Sequence, residues 1–518
     1  MRPFALLCLA LPLAGCGSDD VNRTGGGGAG GGSLLDAGPP PAEDGGPVPS
    51  SEGCGTPAGT VYYVSPSGDD AAAGSEAAPW QTLGKATATA QPGDTVYLMA
   101  GTYAERLVPQ TSGTAGNYIS YAVDPAGGPA VIDGSGVPLA EGGLAQIGRS
   151  YIKVCGLTIR NSPLYGVAAG QDSDEVPEWI HLVGLDVETS GEAAIYVEGV
   201  SDVVIERNLT RDSVSSGIGV WYSSRVAVRH NQVVNARNNE DLGHEESISI
   251  SGTADFEVSN NEIWLDNGTP CTGGNAAIKI KESARRGKVF ANYVHDFYPE
   301  GHIGLDAWEA GLDGGPTLNT IDLYGNRIED SGGFRVSSEE GGLVEAINIY
   351  DNIVTHTENG IMVTDSANNG PKRNINIYNN SIYEGGIEGF SGIYITTSNF
   401  RSVVIRNNIV VSSQWSAGKI SLGDAAMQSE VTVDHNLSFG PKDYCIDGFA
   451  SCVELSNLPG NTTADPLWVD AAGGDLHLTA ASPAVDQGAA IDGLTVDFDG
   501  VARPQGAGVD IGALEYVP

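Results

Sequence analysis

Ionisable residues recur at matching places in three short segments of this sequence, residues 278–281, 303–306 and 334–337. In each segment aliphatic or aromatic residues alternate with small or polar ones, as in a strand with one buried face. The residues expected to point outward on one face are Lys279, Lys281, Asp306 and Arg335. If the three strands are neighbours, Lys281 and Asp306 lie about 5 Å apart.

These residue types predict acid–base chemistry on an anionic substrate. Five of the 26 basic residues fall within residues 279–288, in a chain whose net charge is −39. Such a basic cluster favours a carboxylated or sulfated sugar. The side chains expected to bind it are Lys279, Arg285, Trp221 and Trp308. The alternative is structural: a salt bridge between Lys281 and Asp306, with the tryptophans packed against loops.

Acidic residues flank the same segments and could hold a hard cation. Glu245 and Glu246 precede the strand around Ser249, and Glu339 follows the one that carries Arg335. Calcium prefers carboxylate oxygens, so we expect a calcium site there. Asp306 with Glu246 or Glu339 could instead be the paired carboxyls of a glycoside hydrolase.

The elements that carry these residues belong to a repeat. A short β-rich run ends in asparagine nine times, with spacings of 23 to 34 residues. The asparagines are Asn208, Asn231, Asn261, Asn292, Asn326, Asn352, Asn380, Asn408 and Asn436. Two earlier copies, 28 residues apart, carry Gly156 and Gly184 at what we interpret as the same position. Repeats of this length without helical periodicity predict a solenoid.

The pattern within each repeat predicts an all-β fold, a right-handed parallel β-helix of about 11 coils with three short strands per coil. We expect the asparagines to form one stack at a tight turn, because asparagine tolerates left-handed geometry there. The β-helix should span residues 59–455. A cap helix around 79–86 should precede the coils, and a β-rich cap at 456–518 should follow them.

The N-terminal residues predict export. Residues 1–15 read as a signal peptide, and Leu13-Ala14-Gly15-Cys16 resembles the lipobox of bacterial lipoproteins. That resemblance implies lipidation of Cys16 and, with Gly17 next, an outer-membrane or cell-surface location. Residues 16–58 are rich in glycine and proline and should form a flexible tether. Cys445 and Cys452 bracket a short polar loop and should form a disulfide.

Both ends of the repeat region resemble known modules. Residues 62–103 are similar to the N-terminal part of bacterial β-helix proteins that degrade polysaccharides. Residues 465–516, with Asp510-Ile-Gly-Ala-Leu-Glu515-Tyr516, resemble the choice-of-anchor Q module. These resemblances predict the architecture only, because proteins of one fold catalyse many different reactions.

Residues 275–283 resemble the lysine-bearing strand of chondroitinase B and of the alginate lyases of that β-helix family. The resemblance implies β-elimination on a uronate-containing glycan, with Lys281 as the base and with calcium held by Glu245 and Glu246. The arginine-histidine-glycine pattern expected next is replaced by residues 304–308, so Arg335, one coil further on, takes the assisting role.

Composition limits the remaining choices. A chain with 65 acidic residues against 26 basic ones lacks the basic footprint of a nucleic-acid-binding protein. The partners expected are an acidic polysaccharide and, through the lipid alone, a membrane; the protein should be a monomer. A polysaccharide lyase, a glycoside hydrolase and a non-catalytic glycan-binding rod all stay open from the sequence.

Overall fold

The computed structural model describes most of the chain beyond the N-terminal segment. The described residues are 51–170, 176–236, 246–266, 276–297, 300–307, 317–338, 341–364, 370–386, 391–397, 399–413, 419–446 and 451–518. All of these residues belong to one compact unit. No helix among the described residues is long and apolar enough to cross a bilayer.

Three long sheets form the body of the molecule, and they contain strands β1–β41, numbered in chain order. Sheet 1 contains β1 (Val61–Val64), β2 (Thr95–Leu98), β4 (Ile119–Val123), β7 (Ile152–Cys155), β10 (Glu178–Val183), β13 (Ser201–Glu206), β16 (Ser224–Arg229), β19 (Ala254–Ser259), β22 (Arg285–Phe290), β25 (Thr317–Tyr324), β28 (Leu343–Tyr350), β31 (Lys372–Tyr378), β34 (Phe400–Arg406) and β37 (Val431–Asp434). Sheet 2 contains β3 (Gly101–Tyr103), β5 (Ala130–Asp133), β8 (Thr158–Arg160), β11 (Asp186–Glu188), β14 (Leu209–Arg211), β17 (Gln232–Val234), β20 (Glu262–Trp264), β23 (Tyr293–His295), β26 (Arg327–Glu329), β29 (Ile353–Thr355), β32 (Ser381–Tyr383), β35 (Ile409–Val411), β38 (Leu437–Phe439) and β41 (Thr462–Thr463). Sheet 3 contains β6 (Gly143–Ile147), β9 (Tyr165–Ala169), β12 (Ile195–Glu198), β15 (Ile218–Trp221), β18 (Ile248–Ser251), β21 (Ala276–Lys281), β24 (His302–Ala307), β27 (Phe334–Ser338), β30 (Ile361–Val363), β33 (Ile393–Ile395), β36 (Ile420–Leu422), β39 (Tyr444–Ile446) and the antiparallel β40 (Ser451–Val453).

The remaining elements lie at the two ends of the chain and between late coils. Helix α1 spans Leu83–Thr89, and β42 (Trp468–Asp470) pairs with β43 (Asp475–Leu478). The 3-10 helices are Ser51–Cys54, Ala425–Glu430, Leu455–Asn457 and Ala471–Gly473.

Each coil passes in turn through sheets 1, 2 and 3, so the predicted β-helix of about 11 coils is confirmed. Strands ahead of Gly156, such as β2 and β4, extend the same stack toward the N-terminus. Period-two alternation sends one set of side chains inward: Ile278 and Ile280 are fully buried, while Lys279 between them faces out. One continuous apolar core results.

The nine predicted asparagines form one buried ladder between sheets 1 and 2. The Nδ2 group of each donates to Oδ1 of the next at 2.9–3.0 Å. Its backbone N–H donates to the same oxygen at 2.8–3.2 Å. The ladder runs one coil further than the sequence pattern indicated, because Asn436 donates to Asn461. Buried amides are thereby satisfied at every turn.

The left-handed residue of this turn is the one before the asparagine. Arg207, which precedes Asn208, has φ of 54°. The interpretation that Gly156 and Gly184 replace the asparagine was therefore wrong by one residue. Gly184, with φ of 63°, occupies the left-handed position, and Leu185 takes the place of the asparagine and donates its N–H to Asn208. Glycine suits this position because it has no Cβ to oppose positive φ.

At the N-terminal end, Thr82 caps α1 by accepting from the Lys85 N–H, and the helix buries Leu83 and Ala86 in the core. The C-terminal segment lies along the outer face of sheet 2. There Leu476 and Leu514 pack with Ile353 of β29, a coil well before the last one. This segment therefore covers a side of the solenoid.

Two disulfides are present among the described cysteines. Cys445 in β39 is bonded to Cys452 in β40, the pair that the loop length predicted. Cys54 is bonded to Cys155 of β7 across 101 residues, a pairing that the sequence left open. Cys271 lies outside the described residues.

Candidate functional site

The outer face of sheet 3 brings together the four predicted ionisable residues. Lys279 of β21 is paired in register with Gly304 of β24, and Gly304 is paired with Arg335 of β27. Two residues further along the same strands, Lys281 is paired in register with Asp306, and these two positions form the next outward column. The alternation that buries Ile278 and Ile280 is the reason that both lysines point out, so three adjacent strands present these groups on one face.

The ion pairs on this face differ from the expected pair of Lys281 with Asp306. Lys279 Nζ lies 3.3 Å from Asp306 Oδ2, one strand and one outward position away. Lys281 Nζ lies 3.0 and 3.1 Å from the two oxygens of Glu246, just before β18. A lysine side chain is longer than the strand spacing of about 4.8 Å, so it can reach diagonally. The result is two lysine–carboxylate pairs side by side.

These pairs are shielded from solvent. The side chains of Lys281 and Glu246 are 15% and 10% exposed, and that of Asp306 is 7% exposed. Attraction between the paired charges is therefore stronger here than at an open surface. Arg335, in the column of Lys279, is exposed and forms the open side of the cluster.

Gly304 makes room for two side chains at the centre of the cluster. A Cβ on Gly304 would lie 2.8 Å from Cδ2 of His302 and 3.2 Å from Cδ of Lys279. His302 starts β24 and points outward in alternation with Gly304 and Asp306. Sequence reasoning missed His302 because it followed the segment only from Ile303; the alternation, extended by one residue, is the signal that would have found it.

Several buried polar atoms on this face have no hydrogen-bond partner among the described residues. They are the hydroxyls of Ser249 and Ser251 in β18 and Oδ1 of Asp306. Burying such an atom unpaired costs about 1–3 kcal/mol, so a folded protein seldom keeps several together without a use. This grouping of unpaired polar atoms makes the outer face of sheet 3 a candidate site for a polar ligand.

An aromatic stack continues the same face toward the N-terminus. Tyr165 of β9 stacks on Tyr196 of β12, with ring centroids 4.4 Å apart, and Tyr196 stacks on Trp221 of β15 at 4.7 Å. Trp221 folds over Gly219, where a Cβ would be 2.0 Å from its ring. The predicted sugar-binding Trp221 therefore lies two strands from Lys281, on the same face.

Other predicted site residues are not brought into this cluster. Arg285 is exposed on β22 of sheet 1, beyond the turn after Lys281, so the basic cluster of the sequence is divided between two sheets. Trp308, Glu245 and Glu339 lie outside the described residues, and so does Cys16. Their predicted roles in sugar binding, calcium binding and lipidation stay predictions.

The described carboxylates do not fit a calcium site. Both oxygens of Glu246 accept from Lys281, and Oδ2 of Asp306 lies against Lys279. A divalent cation would have to displace two ammonium groups, which its own charge repels. Within the described ranges, no three histidine, cysteine or acidic residues are grouped to hold a metal ion.

Comparison with known proteins agrees with the architecture. A family model described as the Pel9A-like, right-handed β-helix region matches residues 62–255. The fold is a right-handed parallel β-helix. The match covers the first part of the solenoid and includes Glu246 and Trp221. It ends before Lys279, Lys281, Asp306 and Arg335.

The uncharacterised protein YwoF of Bacillus subtilis is 27% identical over 459 residues, which cover 82% of this chain and 92% of YwoF. The alginate lyase AlyGC of polysaccharide lyase family 6 has a TM-score of 0.51 and 15% identity, covering 82% of this chain and 56% of AlyGC. A mannuronic acid-specific family 6 lyase from human gut microbiota has a TM-score of 0.50 and 13% identity, covering 79% and 92%. At these identities the likeness is one of fold.

Proposed function

We propose that this β-helix protein is a polysaccharide lyase that cleaves a uronate-containing glycan by β-elimination on the outer face of sheet 3. The observation that carries the proposal is the shielded pair of Lys281 and Glu246, next to the Lys279–Asp306 pair and the buried Oδ1 of Asp306. The solved structures that share the fold include alginate lyases, which is consistent with this chemistry.

In β-elimination a base removes the C5 proton of the uronate, a double bond forms between C4 and C5, and the C4–O bond breaks. Lys281 is the proposed base. When the sugar covers the pair and excludes water, the ion pair loses solvation, and transfer of one proton from Lys281 to Glu246 yields a neutral amine beside a carboxylic acid. The neutral amine can then accept the C5 proton.

Over the whole reaction the Lys281–Glu246 pair neither gains nor loses a proton. After Lys281 has taken the C5 proton, Glu246 gives its proton to the departing glycosidic oxygen. Lys281 is then an ammonium and Glu246 a carboxylate, which is the arrangement of the resting protein. No water molecule is consumed, so the new non-reducing end is an unsaturated uronate.

Lys279 and Arg335 are proposed to neutralise the C6 carboxylate of the substrate. The two residues lie in one outward column, on either side of Gly304, so their charges act on the same substrate group. Negative charge moves onto this carboxylate as the C5 proton leaves, and nearby cations stabilise it. Trp221, the last ring of the aromatic stack, would contact the neighbouring sugar.

The test is a panel of alginate, polygalacturonate, chondroitin and neutral glycans, each with and without added calcium or chelator, read by formation of unsaturated uronate. One acidic glycan should be cleaved. Lys281→Met should abolish the cleavage, and Lys442→Met, at an exposed residue away from the site, should leave it unchanged. Cleavage to saturated ends would favour a glycoside hydrolase. Binding without cleavage would favour a glycan-binding rod.

We also propose that the chain is lipid-anchored through Cys16 at the bacterial cell surface. The support is the lipobox-like sequence of residues 13–16 after a short apolar run. Cys16→Ser should leave the protein in the soluble fraction or unprocessed. Unchanged membrane association of that variant would contradict the anchor.

A further inference from the structure

A groove lies on the outer face of sheet 1, a different face from that of Lys281. Its volume is about 370 Å³, and it crosses five adjacent strands, β10, β13, β16, β19 and β22. At about 4.8 Å per strand the groove is roughly 19 Å long, enough for an oligosaccharide of several residues.

The centre of the floor of this groove is small and apolar. Val204 and Ala227 face outward in register, with His181 before them and Glu257 and Lys288 after them. At the His181 end stands Trp179, which is 40% exposed. An exposed indole beside an apolar strip offers a ring face and a flat surface to the C–H faces of sugars.

One wall of the groove consists of arginine–aspartate pairs whose arginines are exposed. Arg225 donates to both oxygens of Asp202 at 2.7 and 2.5 Å. Arg286 donates to both oxygens of Asp255 at 2.7 and 2.6 Å. All four residues occupy the left-handed position that recurs in consecutive coils, with φ of 54–57°, so they line up along the groove.

The charge of this wall selects against acidic sugars. Each arginine already forms two hydrogen bonds to an aspartate. A substrate carboxylate would therefore have to compete with this bidentate partner. The groove is lined by three cations, Arg225, Arg286 and Lys288, and by three carboxylates, Asp202, Asp255 and Glu257, so these groups carry no net charge together. The arginine–aspartate pairs place N–H donors and carboxylate acceptors side by side. Sugar hydroxyls, which donate and accept, can use both.

We infer that this groove is a carbohydrate-binding site for a neutral oligosaccharide, separate from the sheet 3 site. The sugar would stack on Trp179, lie over Val204 and Ala227, and bond to the Arg225–Asp202 and Arg286–Asp255 pairs. The row of Phe290, Tyr324, Tyr350 and Tyr378 on the same sheet is less suited. Its rings stack on one another at 4.9–5.0 Å and so present edges.

Titration calorimetry of the full chain with neutral hexasaccharides of glucan, mannan, xylan and galactan tests the inference. At least one should bind, and Trp179→Ala should weaken that binding at least tenfold. Phe439→Ala is the matched control, because Phe439 is 41% exposed on another sheet, and it should bind like the wild type. Arg225→Gln should also weaken binding, since it breaks the pair with Asp202.

The same titration with Lys281→Met separates this site from the lyase. Unchanged affinity in that variant is expected whether or not the protein cleaves any glycan. The inference is overturned if none of the four neutral hexasaccharides binds, or if Trp179→Ala binds as well as Phe439→Ala. Loss of binding in Lys281→Met would also overturn it, because the sugar would then be in the sheet 3 site.

Discussion

Lys281 and Glu246 are 35 residues apart in the chain, yet Lys281 Nζ lies 3.0 and 3.1 Å from the two carboxylate oxygens of Glu246. The contact joins β21 to a residue two positions before β18, the neighbouring strand in sheet 3. Both side chains are largely shielded from water. The proposed proton exchange depends on this proximity and shielding.

If the two residues act as one unit, their substitutions should not be additive. Glu246→Gln and Lys281→Met should each lower kcat/KM at least about a hundredfold, the usual range for a lost acid–base group. The double variant should be no worse than the poorer single variant. Initial rates on the cleaved glycan measure this, and multiplied losses in the double variant would show that the two residues act separately.

Gly304→Ala tests the crowding around His302 and Lys279. The new Cβ would lie within 3.2 Å of both side chains, so one or both must move. We expect kcat to fall at least tenfold with little change in Tm, because both neighbours are on the outer face. Gly128→Ala is the control, since its Cβ would lie 3.7 Å from the nearest atom. Full activity of Gly304→Ala would show that this packing is unimportant for the reaction.

Asn326→Ala tests the asparagine ladder as a source of stability. Asn292 donates both its backbone N–H and its Nδ2 to Asn326, so the substitution leaves two buried donors without an acceptor. We expect the free energy of unfolding to fall by about 3 kcal/mol. Asn376→Ala on the outer face should cost about 1 kcal/mol or less, since it loses one partly exposed bond to Asn348. Equal losses in urea unfolding would contradict the special role of the ladder.

Asp351 should make stability depend on pH. Burial raises the pKa of Asp351 from 3.8 to about 8, although Arg503 lies 3.0 Å away and opposes the shift. Between these values the unfolded chain releases the proton that the folded protein keeps. The free energy of unfolding should therefore fall as the pH rises from about 4 to about 8.

Urea unfolding at about pH 5 and about pH 9 measures this effect, with Asp351→Asn as the comparison. The asparagine keeps an oxygen for Arg503 and does not titrate. The wild type should lose more stability between the two pH values than the variant does. The same loss in both proteins would assign the pH dependence to other groups.

The regular part of the fold could be predicted from the sequence. Nine asparagines at coil-length spacing specify the ladder, and alternation around Ile278 and Ile280 specifies which side chains face out. The left-handed position was misplaced by one residue because Gly184 and Asn208 look equivalent in sequence. Only the register shows that Gly184 matches Arg207.

The details of the site could be predicted less well. Strand register places Lys281 beside Asp306. Which carboxylate the lysine reaches depends on the length and the rotamer of its side chain. The alternation of residues along the strand does not contain that information. The disulfide of Cys54 with Cys155 joins residues before and within the coils, so it depends on where the N-terminal segment packs. Trp179 and Arg225 line a groove only when five coils are stacked.

The most direct test of β-elimination at sheet 3 is the mass of the products formed in oxygen-18-labelled water. Elimination breaks the C4–O bond without adding water, so the account predicts an unsaturated non-reducing end and no label introduced by cleavage. The products of the wild type should show this pattern, and Lys281→Met should form none. Saturated products that carry oxygen-18 would contradict the account, because they show hydrolysis.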